Sequence, residues 1–203
     1  MKSENYGDIE IWNRFRKGED FALSNIYSKN VEFLYQYGLK FTSKCELIED
    51  AINDLFLYLI RNRKTIGETD NIRFYLMRSF RRKLVRDIKK EFRYGDNLFS
   101  ESLFGVNYSI ENEIIHKESK KEINKRLFLA IEKLSPRQKE AIYLKFKSGF
   151  DYNDISEIMD MGIDASRNLI YRAIKSLKDS ISKYSESNVL LFIFMKLRTL
   201  PIM

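Results

Sequence analysis

Between Glu46 and Arg63 the apolar residues Leu47, Ile48, Ala51, Ile52, Leu55, Phe56 and Leu59 fall on one stripe of a 3.6-residue period, with Glu49, Asp50, Asn53 and Asp54 on the opposite face. A chain patterned this way buries one side of a helix and wets the other. The same period recurs over Asp8–Lys17 (Ile9, Trp12, Phe15), from a cap at Asp20 through Ile26 and Leu34, and over Asn71–Phe92 (Ile72, Tyr75, Leu76, Phe80, Leu84, Ile88). Only two prolines and eight glycines interrupt 203 residues, too few for a turn-rich β fold. The expected class is all-α: two small helical domains joined by a flexible linker, the second a helix-turn-helix domain.

Residue supply closes several chemistries. One cysteine, Cys45, makes no internal disulfide, and with the single histidine, His116, it makes no zinc site. No nucleophile motif lies near His116, and no glycine-rich phosphate loop is present. No catalytic residue, metal ligand or cofactor site is therefore assigned. The first residues, MKSENYGDIEIW, lack the apolar run of a signal peptide, so a reducing cytoplasm is the expected location. The longest apolar run, Val189–Met195, has seven residues, whereas a spanning helix needs about 20.

Charge is concentrated. From Arg61 to Arg93 there are twelve basic and four acidic residues, a local net charge of +8 against +7 for the whole chain. Gly95–Ser109 then has no basic residue and no helical period. The expected boundaries are a first domain over 1–93, a linker over 94–118, a second domain over 119–182 and a hydrophobic tail over 183–203. The linker is acidic (Asp96, Glu101, Glu111, Glu113, Glu118), which suits either a mimic of nucleic acid or a solvated spacer.

The second domain carries the sharper pattern. Ile123–Leu134 is amphipathic, and Ser135-Pro136 sets an N-cap before a proline at the first helical position. Asp151 with Asp154 caps a short helix; a turn at Asp160-Met161-Gly162 follows, then a longer helix to about Ile181. A short capped helix, a tight turn and a second helix make the helix-turn-helix pattern. With Ile163, Ile170, Ile174 and Leu177 facing inward, Arg167, Asn168, Tyr171, Arg172 and Lys175 face outward. Arg pairs bidentately with guanine and Asn with adenine, while Lys suits phosphate. In the basic stretch, Phe74, Tyr75 and Phe80 interleave with Arg73, Arg78, Arg81, Arg82 and Arg86. Rings for base stacking among cations for the backbone are what a single strand requires; the competing assignment puts Tyr75 and Phe80 in the core.

These segments resemble a known family. Leu134–Leu144 (LSPRQKEAIYL) resembles the start of region 4 of bacterial sigma factors, Asp151–Met159 the first helix of its helix-turn-helix, and Ala165–Ala173 its recognition helix. Glu49–Leu59 is similar to the region 2 helix that binds the polymerase clamp, and Phe74–Lys83 to the promoter-melting helix. These motifs, in their order along the chain and over about residues 10–182, are similar to the extracytoplasmic-function (ECF) group. The chain departs from the family pattern at Asn53 (usually Gln), Ile60 (usually Trp), Arg82 (often Asn) and Gly162 (usually Ser or Thr).

The resemblance implies a promoter-specificity subunit that performs no chemistry itself. Asp50, Asn53 and Asp54 would bind the clamp. Phe74, Tyr75, Arg78, Arg81, Arg82 and Arg86 would open the −10 element, and Ser166, Arg167, Asn168, Tyr171, Arg172 and Lys175 would read the −35 element. The implied partners are core RNA polymerase and promoter DNA, with an anti-sigma factor as a further candidate. Two rivals fit the residues: a stand-alone helix-turn-helix regulator, and a metal-dependent nuclease using Asp50 and Asp54, four residues apart. The tail, Asn188–Met203, suits packing on this chain or on a second copy, docking to a partner, or contact with a membrane surface through Lys196 and Arg198.

Overall fold

A computed structural model describes residues 6–93, 104–105 and 129–181. The linker flanking Phe104-Gly105, the beginning of the Ile123–Leu134 helix and the whole tail lie outside the described residues. The chain divides into two compact units, residues 1–99 and 100–203. Every regular element among the described residues is helical, as the apolar period requires.

Unit 1 contains α1 (Asp8–Lys17), α2 (Asp20–Gly38), α3 (Cys45–Asn62) and α4 (Ile72–Arg93). Its core joins Ile26, Leu34 and Tyr37 of α2, the α3 stripe from Ile48 to Leu59, and Leu76, Met77, Phe80, Leu84 and Ile88 of α4. Trp12 of α1 is fully buried and donates its indole N–H to the Gly67 carbonyl at 2.8 Å, satisfying the one polar atom of a large apolar side chain. Ile9, by contrast, is exposed. Asp20 does not cap α2: it is the first helical residue, and the cap position, Glu19, makes no side-chain capping bond. The start of α4 is held twice, by Asn71 Oδ1 accepting from the Phe74 N–H at 2.9 Å and by Asp8 Oδ2 accepting from the Ile72 N–H at 2.9 Å. The second bond ties α4 to the first residue of α1.

Unit 2 holds α5 (Pro136–Ile142), which continues into a π-helical turn (Tyr143–Lys147), then α6 (Tyr152–Ile158) and α7 (Ile163–Ile181). Both short helices begin in reciprocal capping boxes. Ser135 Oγ accepts from the Gln138 N–H at 3.3 Å while Gln138 answers at 2.9 Å; Asp151 and Asp154 do the same at 2.8 and 3.2 Å. Such caps are worth about 1 kcal/mol each. The π turn was not legible from periodicity, because a single wide turn leaves the apolar pattern almost intact. Between α6 and α7, Asp160 takes a left-handed backbone (φ 53°), and the Met161 N–H reaches back to the Ser156 carbonyl at 2.9 Å, closing the end of α6 as a Schellman-type cap.

Phe104, inside the span expected to be solvated linker, is 2% exposed, with its ring 5.7 Å from that of Tyr143 in a T-shaped contact. Burying a phenylalanine is worth roughly 1.5–3 kcal/mol, so the free-spacer expectation fails at this residue.

Gly38 ends α2 where α3 and α4 close on it. A Cβ there would lie 2.6 Å from Ile48 Cγ2 and 3.3 Å from Phe80 Cζ, and both of those side chains are fully buried. Gly38→Ala is expected to destabilise unit 1 by about 1–3 kcal/mol through overpacking, read as a lowered urea midpoint at unchanged slope.

Candidate nucleic-acid interface

The rotation of α7 about its axis decides which side chains it offers. Its buried stripe is Ser166, Ile170, Ala173 and Leu177, spaced i, i+4, i+7 and i+11. Two expected positions change. Ile163 is 36% exposed and does not anchor the helix, and Ile174 is only half-buried. Ser166, counted with the DNA-reading residues, is fully buried. Its hydroxyl donates toward the Ile163 carbonyl at 2.8 Å and lies 3.0 Å from the Tyr152 carbonyl, a donor shared between α7 and the start of α6. Ser166 therefore fastens the two helices of the motif to each other, and its role as a base reader is withdrawn.

The rest of the outward set is as the pattern expects. Arg167, Asn168, Tyr171, Arg172 and Lys175 are all exposed, Tyr171 at 65%. Arg167 lies 3.3 Å from Asp164, one turn toward the helix N-terminus, in an exposed ion pair of little strength that leaves the guanidinium exchangeable. An exposed tyrosine between two arginines gives the face a ring and two forked cations within two turns. Behind it, Lys145 donates to the Phe150 carbonyl at 3.3 Å and sits 4.4 Å over the Tyr152 ring, bracing the entry to α6. Burial raises the Asp154 carboxyl and lowers the Lys147 ammonium from their ordinary values.

On α4 the basic residues divide by depth. Arg82 and Arg86 are exposed one turn apart; Arg78 and Arg81 are half-buried. Phe80 is core, fully buried. Phe74 and Tyr75 are half-buried, and the Tyr75 ring lies 5.0 Å from that of Trp12. Burial pushes its phenol up from the ordinary value. Arg73 covers the Phe33 ring at 3.7 Å, so this cation is engaged within the unit.

The acidic face of α3 exposes Asp50, Asn53 and Asp54. The structure adds a partner that the sequence pattern missed. Lys83 of α4 places its ammonium 2.6 Å from Asp54 Oδ2 and 2.6 Å from Asp87 Oδ2. The Lys83 bond holds the Asp54 carboxyl below its ordinary range. Burial works against the Lys83 charge, but the hydrogen bonds to Asp54 and Asp87 outweigh it and raise its pKa. Lys83–Asp87 is visible in sequence as an i, i+4 pair; Lys83–Asp54 exists only because α3 and α4 pack. Among the described residues no group of three or more His, Cys, Asp or Glu side chains could hold a metal ion, and no helix is long and apolar enough to cross a membrane.

Residues 125–177 match the family model described as sigma-70, region 4. That span contains the capped helices, the turn and the exposed face just described. The chain is 24% identical over 172 residues to the ECF RNA polymerase sigma factor BldN of Streptomyces coelicolor (strain ATCC BAA-471 / A3(2) / M145), a match covering 83% of this chain and 64% of that protein. It thus spans under two thirds of that relative's length. Its fold is similar to the sigma factor RpoE of Bartonella quintana, solved in complex with the anti-sigma factor NepR, with a TM-score of 0.50 and 21% identity over 84% of this chain and 98% of that one. The first two likenesses are of sequence and the third is of fold alone.

Two measurements check this geometry. Ser166→Ala should lower the stability of unit 2 by about 0.5–1.5 kcal/mol and leave base preference untouched, whereas Arg167→Ala should leave melting unchanged and relax one base position at a cost of about 1–3 kcal/mol. For Asp54, the depressed folded-state pKa means that its contribution is present above the unfolded carboxylate pKa and lost as pH falls through the folded value. Urea unfolding of the native chain and of Asp54→Asn should therefore differ at pH 7 and converge in acid.

Proposed function

We propose that the chain is a promoter-specificity factor that joins core RNA polymerase and directs it to promoters bearing matched −10 and −35 elements. The observation that carries this reading is the α7 face: Arg167, Asn168, Tyr171, Arg172 and Lys175 exposed together on a helix whose opposite stripe is locked by Ser166, Ile170, Ala173 and Leu177, within the span matching region 4. In this reading residues 119–182 act as region 4. Arg167, Asn168 and Arg172 read base edges in the major groove, Tyr171 makes apolar contact and Lys175 holds phosphate.

Residues 1–93 act as region 2. The exposed Arg82 and Arg86 hold the phosphates of the displaced −10 strand, with Arg78 and Arg81 at their flank. Phe74 and Tyr75, half-buried, offer ring edges to unstacked bases. Asp50, Asn53 and Asp54 face the polymerase clamp, a basic surface on this reading. Residues 94–118 connect the two, and the tail from 183 onward is a contact segment for this chain or a partner. The protein works in the cytoplasm, where polymerase is, and an anti-sigma factor is a partner of the kind that the relative from Bartonella quintana is seen with. It transfers no group and uses no cofactor; its work is differential binding of melted over duplex DNA.

Run-off transcription with purified core polymerase on a randomised promoter library tests the reading. Selection of a common −10/−35 pair is the expected result, and no enrichment over core polymerase alone would reject it. Asp50→Arg should reduce co-purification with core polymerase at unchanged helical signal. Arg82→Asn should shift the −10 preference and lower the salt slope of open-complex formation by about one unit.

A further inference from the structure

The stripe that α7 offers begins one turn before Arg167. Asp164, Arg167, Asn168, Tyr171 and Lys175 are spaced i, i+3, i+4, i+7 and i+11, and all five are exposed, so Asp164 heads the same helical face. Its side chain is 85% exposed, and its Oδ1 accepts from Arg167 Nη1 at 3.3 Å. In a helix-turn-helix the N-terminal residues of the second helix meet the base edges. The carboxylate therefore stands at the end of α7 that would enter a major groove first.

A carboxylate at that position is chemically one-sided, because the ionised group only accepts hydrogen bonds. From Ser148 to Ser166 there are five acidic residues and no basic one, so the chain leading up to Asp164 brings no cation of its own to a duplex. Against phosphate the carboxylate repels, which lowers affinity for every sequence alike. Against base edges it discriminates. Cytosine N4 and adenine N6 present amino donors in the major groove, whereas guanine O6 and N7 and thymine O4 are acceptors. A carboxylate pressed against an acceptor loses its water and gains no bond in return.

We propose that Asp164 is a specificity-determining residue of the α7 face, selecting a base with a major-groove amino group, cytosine or adenine, beside the guanine read by Arg167. The contact between the two side chains serves both. Arg167 supplies donors and Asp164 an acceptor, one helical turn apart, so the pair reads neighbouring bases of opposite hydrogen-bonding polarity. Oδ1 takes one N–H of the guanidinium and directs the fork, which leaves Oδ2 as the acceptor for the base and the other N–H groups for guanine. This inference rests on the reading of α7 as the element that recognises the −35 sequence.

The test uses the full chain assembled with core polymerase, in run-off transcription from a library randomised across the −35 element. The native chain should select cytosine or adenine at one position next to a guanine. Asp164→Ala should relax that position about tenfold and raise transcription from mismatched sites about two- to fivefold, since one like charge has left a surface that meets phosphate. Asp164→Asn keeps the shape and adds a donor, so guanine and thymine should be admitted at the same position. A second measurement removes the amino group itself from the selected base, with 2-pyrimidinone in place of cytosine or unsubstituted purine in place of adenine. The native chain should lose about tenfold, and Asp164→Ala should not respond. A residue that only steadies the first turn of α7 would lower the melting temperature on substitution and leave base preference as it was. That result, or an equal response of the native and Asp164→Ala chains to loss of the amino group, overturns the proposal. A native chain that selects no −35 sequence at all rejects the promoter reading and this proposal together, whereas a selected −35 element indifferent to Asp164 rejects this proposal alone.

Discussion

One buried hydroxyl sets the phase of α7. Ser166 is small enough to let α7 approach α6 and polar enough to bind the Tyr152 and Ile163 carbonyls when it arrives. With that contact made, Ile170, Ala173 and Leu177 follow at one helical face, and Arg167, Asn168, Tyr171, Arg172 and Lys175 have no choice but to face outward. A rotation of one residue, 100°, would bury a charge, and the desolvation cost of an unpaired arginine forbids it. The exposed face is therefore a consequence of packing on the other side. The caps act in the same sense: the paired boxes at Ser135–Gln138 and Asp151–Asp154 fix where α5 and α6 begin.

Unit 1 solves a harder problem, because α4 must be both core and cation. It does so by depth. Leu76, Met77, Phe80, Leu84 and Ile88 lie against α2 and α3, Arg78 and Arg81 sit at the shoulder, and Arg82 and Arg86 stand in water. Lys83 falls on the inner flank, where a lone ammonium would be costly. It is matched by two carboxylates, Asp87 from its own helix and Asp54 from α3. That shared cation joins the acidic face of α3 to the basic face of α4. Asp54 is the more exposed of the two carboxylates and Asp87 the more enclosed. A cationic partner arriving at α3 can therefore compete for Asp54 while Asp87 keeps Lys83 neutralised.

The sequence alone carried the helical class, the order of the helices, the +8 stretch from Arg61 to Arg93 and the outward set on α7. Each of these follows from local rules: a 3.6-residue apolar period, capping residues at fixed offsets, and the cost of burying charge. What those rules cannot see is which of two plausible side chains on a helix boundary turns inward. Ile163 and Ser166 are one turn apart, and hydrophobicity alone chooses the isoleucine. The structure chooses the serine, whose hydroxyl bonds the Tyr152 carbonyl, fourteen residues away. The same holds for Asp54, whose partner is on another helix, for Gly38, whose missing side chain is explained only by Ile48 and Phe80, and for Phe104, whose polar neighbours gave it the look of linker. In each case the deciding contact is distant in sequence, and the energy of a contact belongs to the pair, which only the tertiary structure brings together.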